Sequence, residues 1–359
     1  MKSIKYILAA ASLALTAPTY AQIFKLNFDY TYTGTGATEL GQAIAAEVSK
    51  VEKEINEGLP SAQPKRLMEG TANASVMSGK GVGSDYASNM DVVLVGAGLG
   101  VGADLEKDEA TDSDLSGAAA QGGIIVGTNL GWLPVKKILG LDANRLNVYM
   151  NFFKYDMEKS FDKSKVEADL QSFGIHASYL WKKGNSSKMF GWGGLKIHTG
   201  IERNSMDLSF TSDINEAVNV NSNGRVAEGT ITGKPRASIK TATTSIPLEI
   251  STSVRLLYVF SLYTGLGVDY NMGSAEGKGD LNATPADIEC TSGCGPGSTT
   301  VGTVSPEANI DAKGDVDSFL TRGFLGLQIN LPYFVIFTQV DKAFGNDLIG
   351  ATAGARFVY

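Results

Sequence analysis

Beyond Ala21 the chain has no apolar run that approaches the ~18 residues a membrane-spanning helix needs. Charge is scarce, at 19% of residues, and leans acidic: 31 Lys and Arg stand against 38 Asp and Glu, for a net charge of −7. An acidic chain without a basic cluster is a poor nucleic-acid binder, so nucleic acid is excluded as a partner. Only two histidines and two cysteines occur. A structural metal centre needs more such ligands, so no metal and no cofactor are expected. What the chain does have is glycine, 42 residues, and an ordinary 43% of hydrophobic residues. Hydrophobicity that never gathers into a long run must be spread thinly. A sheet closed within a membrane does this, because only every second residue of its strands touches lipid.

The first residues read as a secretory signal. Lys2 and Lys5 form a charged start, Ile7 to Ala17 is a short apolar stretch, and Thr19-Tyr20-Ala21 is a small-x-small cleavage site. The stretch is too short to be an anchor, so cleavage after Ala21 and a mature start at Gln22 are expected. Export brings an oxidising compartment. Cys290 and Cys294, in C-T-S-G-C, are therefore read as a disulfide closing a small loop rather than as metal ligands.

Period-2 alternation is the main signal. Tyr258, Phe260, Leu262, Thr264, Leu266, Val268 and Tyr270 fall on one face, and Ser261, Tyr263, Gly265, Gly267, Asp269 and Asn271 on the other. Similar stretches surround Val93–Ala103, Ile124–Trp132, Leu146–Phe152, Phe173–Trp181, Leu195–Ile201, Ile246–Val254, Phe319–Leu331, Phe334–Val340 and Ile349–Tyr359. Pro247 sits on an inner face, where it withholds a ladder hydrogen bond and suggests a bulge. The first mature segment, Phe24 to Tyr30, also alternates, and Leu67 to Ser78 reads as a weaker strand beside it. The fold class is all-β: a transmembrane antiparallel barrel of about 12 strands, within a range of roughly 10 to 14, since single-chain bacterial barrels have even counts.

Connections alternate in length. Those at 255–258, 331–333 and 182–188 are tight; those near 105–118, 211–238 and 274–315 are long and polar. Trp132, Trp181, Trp192, Tyr258, Tyr333, Phe357 and Tyr359 lie by the tight connections or the C-terminus, as a belt at headgroup level requires. A soluble sandwich or solenoid also alternates, but has no reason to gather aromatics at one set of turns.

One stretch has helical spacing. From Glu39 to Glu57, Leu40, Ile44, Val48, Val51 and Ile55 recur on one face, with Thr38 as N-cap and Gly58 and Pro60 as stops. This helix packs either on the outside or rim of the barrel or within it as a plug. The glycines at 96, 98, 100 and 102 would let something approach the inner wall closely. The organisation expected is a signal peptide at 1–21, N-terminal strands and an amphipathic helix over 22–88, and the barrel over 89–359.

The inward positions carry the candidate site. Arg145, Arg255 and Arg356 stand near the tight turns and form either an anion-favouring collar or braces paired with Glu249, Asp269 and Asp341. Arg322 is also inward. His176 and His198 point inward on neighbouring strands, as a polar wall or as a weak metal or proton pair. The acidic loop Asp104 to Asp114 is either a cation site or a solvated charge run. A barrel enzyme needs a positioned nucleophile and base. Neither histidine has a supporting motif, so the chain is read as non-enzymatic.

The chain ends Ala355-Arg356-Phe357-Val358-Tyr359. This resembles the C-terminal signature of bacterial outer-membrane barrels, with Phe357 and Tyr359 as the assembly signal; Tyr is a departure from the commoner final Phe or Trp. The chain looks most like an uncharacterised outer-membrane protein family. The resemblance implies location in the cell outer membrane, outer-membrane lipid around the barrel, and delivery by periplasmic chaperones and the barrel-assembly machinery. The function expected is a pore or transporter for small solutes. The alternative is a structural or adhesive surface protein with a closed lumen and partner-binding loops.

Overall fold

The structure is a computed structural model that describes residues 27–32, 38–57, 64–87, 90, 92–105, 116–161, 164–186, 189–222, 224–257, 259–284, 286–292, 300–307 and 309–359. The signal segment, Phe24, most of the acidic loop and Cys294 lie outside these residues.

Ten antiparallel strands form a ring: β1 (Val93–Asp104), β2 (Gly117–Asn129), β3 (Leu146–Ser160), β4 (Ser164–Lys182), β5 (Phe190–Ser212), β6 (Arg225–Leu256), β7 (Phe260–Thr284), β8 (Phe319–Leu331), β9 (Phe334–Ala343) and β10 (Leu348–Val358). β10 returns to β1, with Ala353 opposite Leu99 and Val358 opposite Leu94, so the ring has no free edge. Closure is what lets a sheet sit in lipid, where an unpaired backbone group has no water to bond.

The alternation sorts side chains by environment. On β7, Phe260, Leu262, Leu266, Val268, Tyr270 and Met272 are exposed on the outer face, while Ser261, Tyr263, Asp269 and Asn271 are buried within. Val95, Ile124, Phe152, Ile175, Ile201, Leu248, Leu327, Ile336 and Phe357 continue the outer band around the ring. A ring with an apolar belt outside and polar side chains within is an outer-membrane β-barrel.

The ring has ten strands, the lower end of the expected range, because the N-terminal segments stay out of it. Asn27–Tyr32 pairs with Thr300–Glu307, away from the ring. Leu67–Ser78 is no strand: it belongs to a helix, α2 (Pro64–Ser78), buried along nearly its whole surface. Inside a closed ring no strand edge is left to pair with, and a helix satisfies its own backbone. Pro64 opens that helix at a position where the missing N–H costs nothing.

β5, β6 and β7 hold 23, 32 and 25 residues, against the 9–11 or so that cross a bilayer. The excess projects beyond the belt at the end away from the C-terminus. There the outward residues turn polar: Lys240 and Arg236 on β6, Glu276 and Lys278 on β7. Ile214–Ser222, Ala286–Ser292, Thr300–Glu307 and Asn27–Tyr32 widen this projection into a sheet. α1 (Thr38–Glu57) lies on it, burying Leu40, Ile44 and Val48 against Val218, Val220, Ile231, Ile288, Val301 and Val304. The amphipathic helix thus sits neither in the lumen nor against lipid; its apolar stripe meets the projecting sheet. At Pro247 the pairing of β6 with β5 skips two residues without changing register, and the register shift comes later, between Thr252 and Val254.

Leu266 lies on the lipid side near the middle of the band. Leu266→Arg is expected to destabilise the barrel by about 2–4 kcal/mol in a urea titration in phospholipid vesicles, as a cation at the bilayer midplane does. Glu276→Arg, on the projection, is expected to change it little. Equal effects would contradict the placing of the band.

Candidate functional site

The site is the lumen and what fills it. α2 and the turns at 79–87 run down the inside of the ring from the projecting end to the C-terminal end. Asn73 bonds Asp317 at the upper end, with Nδ2 donating to Oδ2 at 3.1 Å. Arg255, near the lower end, donates to the Ala87 carbonyl at 3.4 Å. The wall nearest α2 is built from glycine. A Cβ at Gly100 would fall on the Ser78 carbonyl, one at Gly102 on the Ala74 carbonyl, and one at Gly117 on the backbone of Gly70. Only glycine allows that approach of backbone to backbone.

Opposite this wall lies a charge network. Arg322 on β8 spreads its guanidinium over three carboxylates: Nε donates to Asp269 Oδ2 at 2.8 Å, Nη1 to Asp341 Oδ1 at 2.6 Å, and Nη2 to Glu249 Oε1. Lys80, from the segment after α2, reaches Asp269 Oδ1 at 3.1 Å and Ser245 Oγ at 2.8 Å. Tyr86 donates to Glu249 Oε2 at 2.8 Å. It packs against Tyr263, Phe324 and His198, with centroids 5.5, 4.7 and 4.7 Å away. Gln339 donates to Asp341 at 2.9 Å. A second lock ties the inner segment to the last strand: Arg356 donates to Asp85 at 2.9 Å and to the carbonyls of Gly81 and Ser84, with its guanidinium 3.7 Å from the Phe337 ring.

The structure thus brings Arg322, Glu249, Asp269 and Asp341 into one cluster, and sets Arg356 apart from it. Arg145 and Arg255 are half-buried and separately engaged. Arg145 lies 3.5 Å from Asp142 and from the Trp181 carbonyl, so the three arginines near the tight turns have different partners. Phe357 and Tyr359 are exposed at the C-terminal end, each stacked with Tyr333 at a centroid distance of 6.2 Å. Cys290 lies on a strand of the projecting sheet, Ala286–Ser292.

His176 and His198 are buried on adjacent strands, two positions out of step: His176 faces Gly200 and His198 faces Ser178. His198 Nε2 lies 2.9 Å from Ser251 Oγ. That is the contact of a nucleophile with its base, but His198 Nδ1 has no partner among the described residues to orient the ring, and both side chains are buried. Among the described residues the amides of Gln121 and Asn151 and Nε2 of His176 also have no hydrogen-bond partner. Among the described residues no group of three or more His, Cys, Asp or Glu is placed to hold a metal ion.

Lys80, Asp85 and Tyr86 escape sequence reading, since no strand pattern includes them. Their signal is compositional: they interrupt a run of small residues, from Gly70 to Ala87, that ends just before a strand.

Arg322 has three donors aimed in three directions, which a lysine ammonium does not reproduce. Arg322→Met leaves three buried carboxylates with the Lys80 ammonium as their one ion-pair partner among the described residues and is expected to cost about 3–5 kcal/mol by urea titration. Arg322→Lys is expected to recover only part of this. A loss below about 1 kcal/mol for Arg322→Met would show that the cluster does not hold the inner segment in place.

Several solved barrels resemble the chain at low similarity. The translocator domain of autotransporter NalP from Neisseria meningitidis is 10% identical, covering 76% of this chain and 90% of its own, with a TM-score of 0.28. Acinetobacter baumannii CarO is 9% identical, with coverage of 76% and 100% and a TM-score of 0.25. The P. putida toluene transporter TodX is 8% identical, with coverage of 81% and 99% and a TM-score of 0.24. Likenesses this slight say nothing of what the chain does. No curated protein matches it. The match that spans the barrel, its inner segment and the projecting sheet together is to a family model over residues 20–359, and the protein accordingly belongs to the Lsa36-like family.

Proposed function

We propose that this protein is a closed outer-membrane anchor that holds a sheet and a helix outside the cell for contact with a partner. One observation carries the reading. At mid-lumen the side chains of Arg322 and Asp269 are 0% exposed and that of Lys80 is 2% exposed. A water-filled pore would wet them. The strands instead invest their extra length in a sheet with its own apolar core, which includes α1. Long loops belong to the outer side of such barrels and the C-terminus to the periplasmic side, so the projection faces out. Cys290 and Cys294 form, on this reading, a disulfide. Insertion through the strand that ends in Phe357 and Tyr359, by the barrel-assembly machinery, rests on the C-terminal resemblance.

A gated pore for small solutes is the second reading. It is supported by the polar side chains Gln121, Asn151 and His176, which are buried in the ring with polar atoms that have no hydrogen-bond partner among the described residues. Movement of the inner segment would leave a path lined by polar donors and acceptors.

Conductance separates the two. In a planar bilayer the intact protein is expected to show no steps, and deletion of residues 64–87 is expected to open it. Steps in the intact protein would favour the pore. Surface exposure is tested on whole cells: Ser49→Cys on α1 is expected to react with a membrane-impermeant maleimide, and Lys137→Cys at the opposite end only after permeabilisation. The reverse pattern would invert the orientation.

A further inference from the structure

The connection from β2 to β3 stands out at the C-terminal end of the ring. It spans 130–145, where the others at that end span 183–189, 257–259 and 332–333. It also exposes four large apolar side chains, Trp132, Val135, Leu139 and Leu141, with Leu139 at 98%. Leu139 and Gly140 form the tip of a two-residue hairpin between Lys137–Ile138 and Leu141–Asp142. Leu139 holds φ at 50°, a left-handed conformation that costs a non-glycine residue energy. A leucine side chain left wholly uncovered is unfavourable in water.

The loop is braced. Asn129 Oδ1 accepts from Gly131 N at 2.8 Å, Asn129 Nδ2 donates to Asn147 Oδ1 at 2.8 Å, and Ala143 N donates to the Lys136 carbonyl at 3.1 Å. Its Trp132 lies on the lipid side of the wall. Trp132 Nε1 donates at 3.0 Å to Thr128 Oγ1, and Thr128 shares the outer face of β2 with Ile124 and Val126 of the belt. Lys136 and Lys137 are exposed beside the tip.

We propose that this loop is an interfacial wedge: Leu139 and Trp132 enter the bilayer at the periplasmic leaflet, and Lys136 and Lys137 contact phospholipid phosphates. The apolar tip continues the established lipid-facing belt, and the two ammonium groups lie where anionic headgroups lie. The wedge gives this side of the barrel a fixed depth and tilt. It rests on the barrel spanning a bilayer and is independent of whether the lumen conducts.

The test uses the full mature chain in a Cys290→Ser, Cys294→Ser background, with Leu139→Cys carrying an environment-sensitive fluorophore. Lys313→Cys on the projection is the reference. Both are reconstituted in phosphatidylcholine vesicles, with and without phosphatidylglycerol. The label at 139 is expected to emit at shorter wavelength than the label at 313, and to be quenched several-fold more by nitroxide-labelled lipid than by iodide. Phosphatidylglycerol is expected to strengthen that quenching, and Lys136→Glu with Lys137→Glu to abolish the gain. Water-like emission at 139 with iodide quenching equal to that at 313 overturns the wedge. An unchanged response of the double charge variant overturns the headgroup contact.

Discussion

A peptide group in hydrocarbon has only other peptide groups to bond, and an unmet one costs several kcal/mol. Each strand in the band must therefore have a neighbour on both sides, and the pairing of β10 with β1 supplies the last set. Everything else follows from that closure. It fixes an outside of lipid and an inside without lipid, makes polarity alternate along each strand, and leaves a lumen that must be either wet or filled.

Here it is filled. A helix can enter such a space because it needs no backbone partner from the wall. It can come close because Gly100, Gly102 and Gly117 remove the side chains that would keep it away. Its small residues alone would leave it free to slide. Lys80 on Asp269 and Asp85 under Arg356 set its depth and rotation. Buried ion pairs add little net stability, because desolvation offsets their attraction, but breaking one leaves an uncompensated charge. The cluster around Arg322 thus acts chiefly on which arrangement forms, and less on how stable the barrel is.

The same strands serve two solvents. In β6 the outward residues run from Ile250, Leu248 and Ile246 in lipid to Lys240 and Arg236 beyond it. Past the belt the sheet is no longer bound to a ring. It gains neighbours outside it and buries an apolar face under α1. The membrane-spanning ring and the projecting sheet are therefore one continuous ladder of hydrogen bonds. A change at one end of β6 bears on both.

Alternation at Tyr258–Tyr270 and its nine counterparts was enough to identify a closed barrel and to sort Glu249, Asp269, Arg322 and Asp341 inward, because lipid imposes a period of two on any strand that crosses it. The helical spacing of Leu40, Ile44 and Val48 likewise marked a helix. Pairwise choices lay beyond sequence. Leu67–Ser78 alternates weakly enough to pass for a strand, and only the closed ring, with no edge left to join, makes it a helix within the lumen. The location of α1 depended on a sheet assembled from segments far apart in the chain. That Arg322, and not the arginines near the turns, gathers the three acids depended on strand register. The local pattern thus settled which face each residue takes. Which residues meet across the lumen was left to tertiary structure, because distances between strands and the place of the inner segment are set by closure and not by neighbours in sequence.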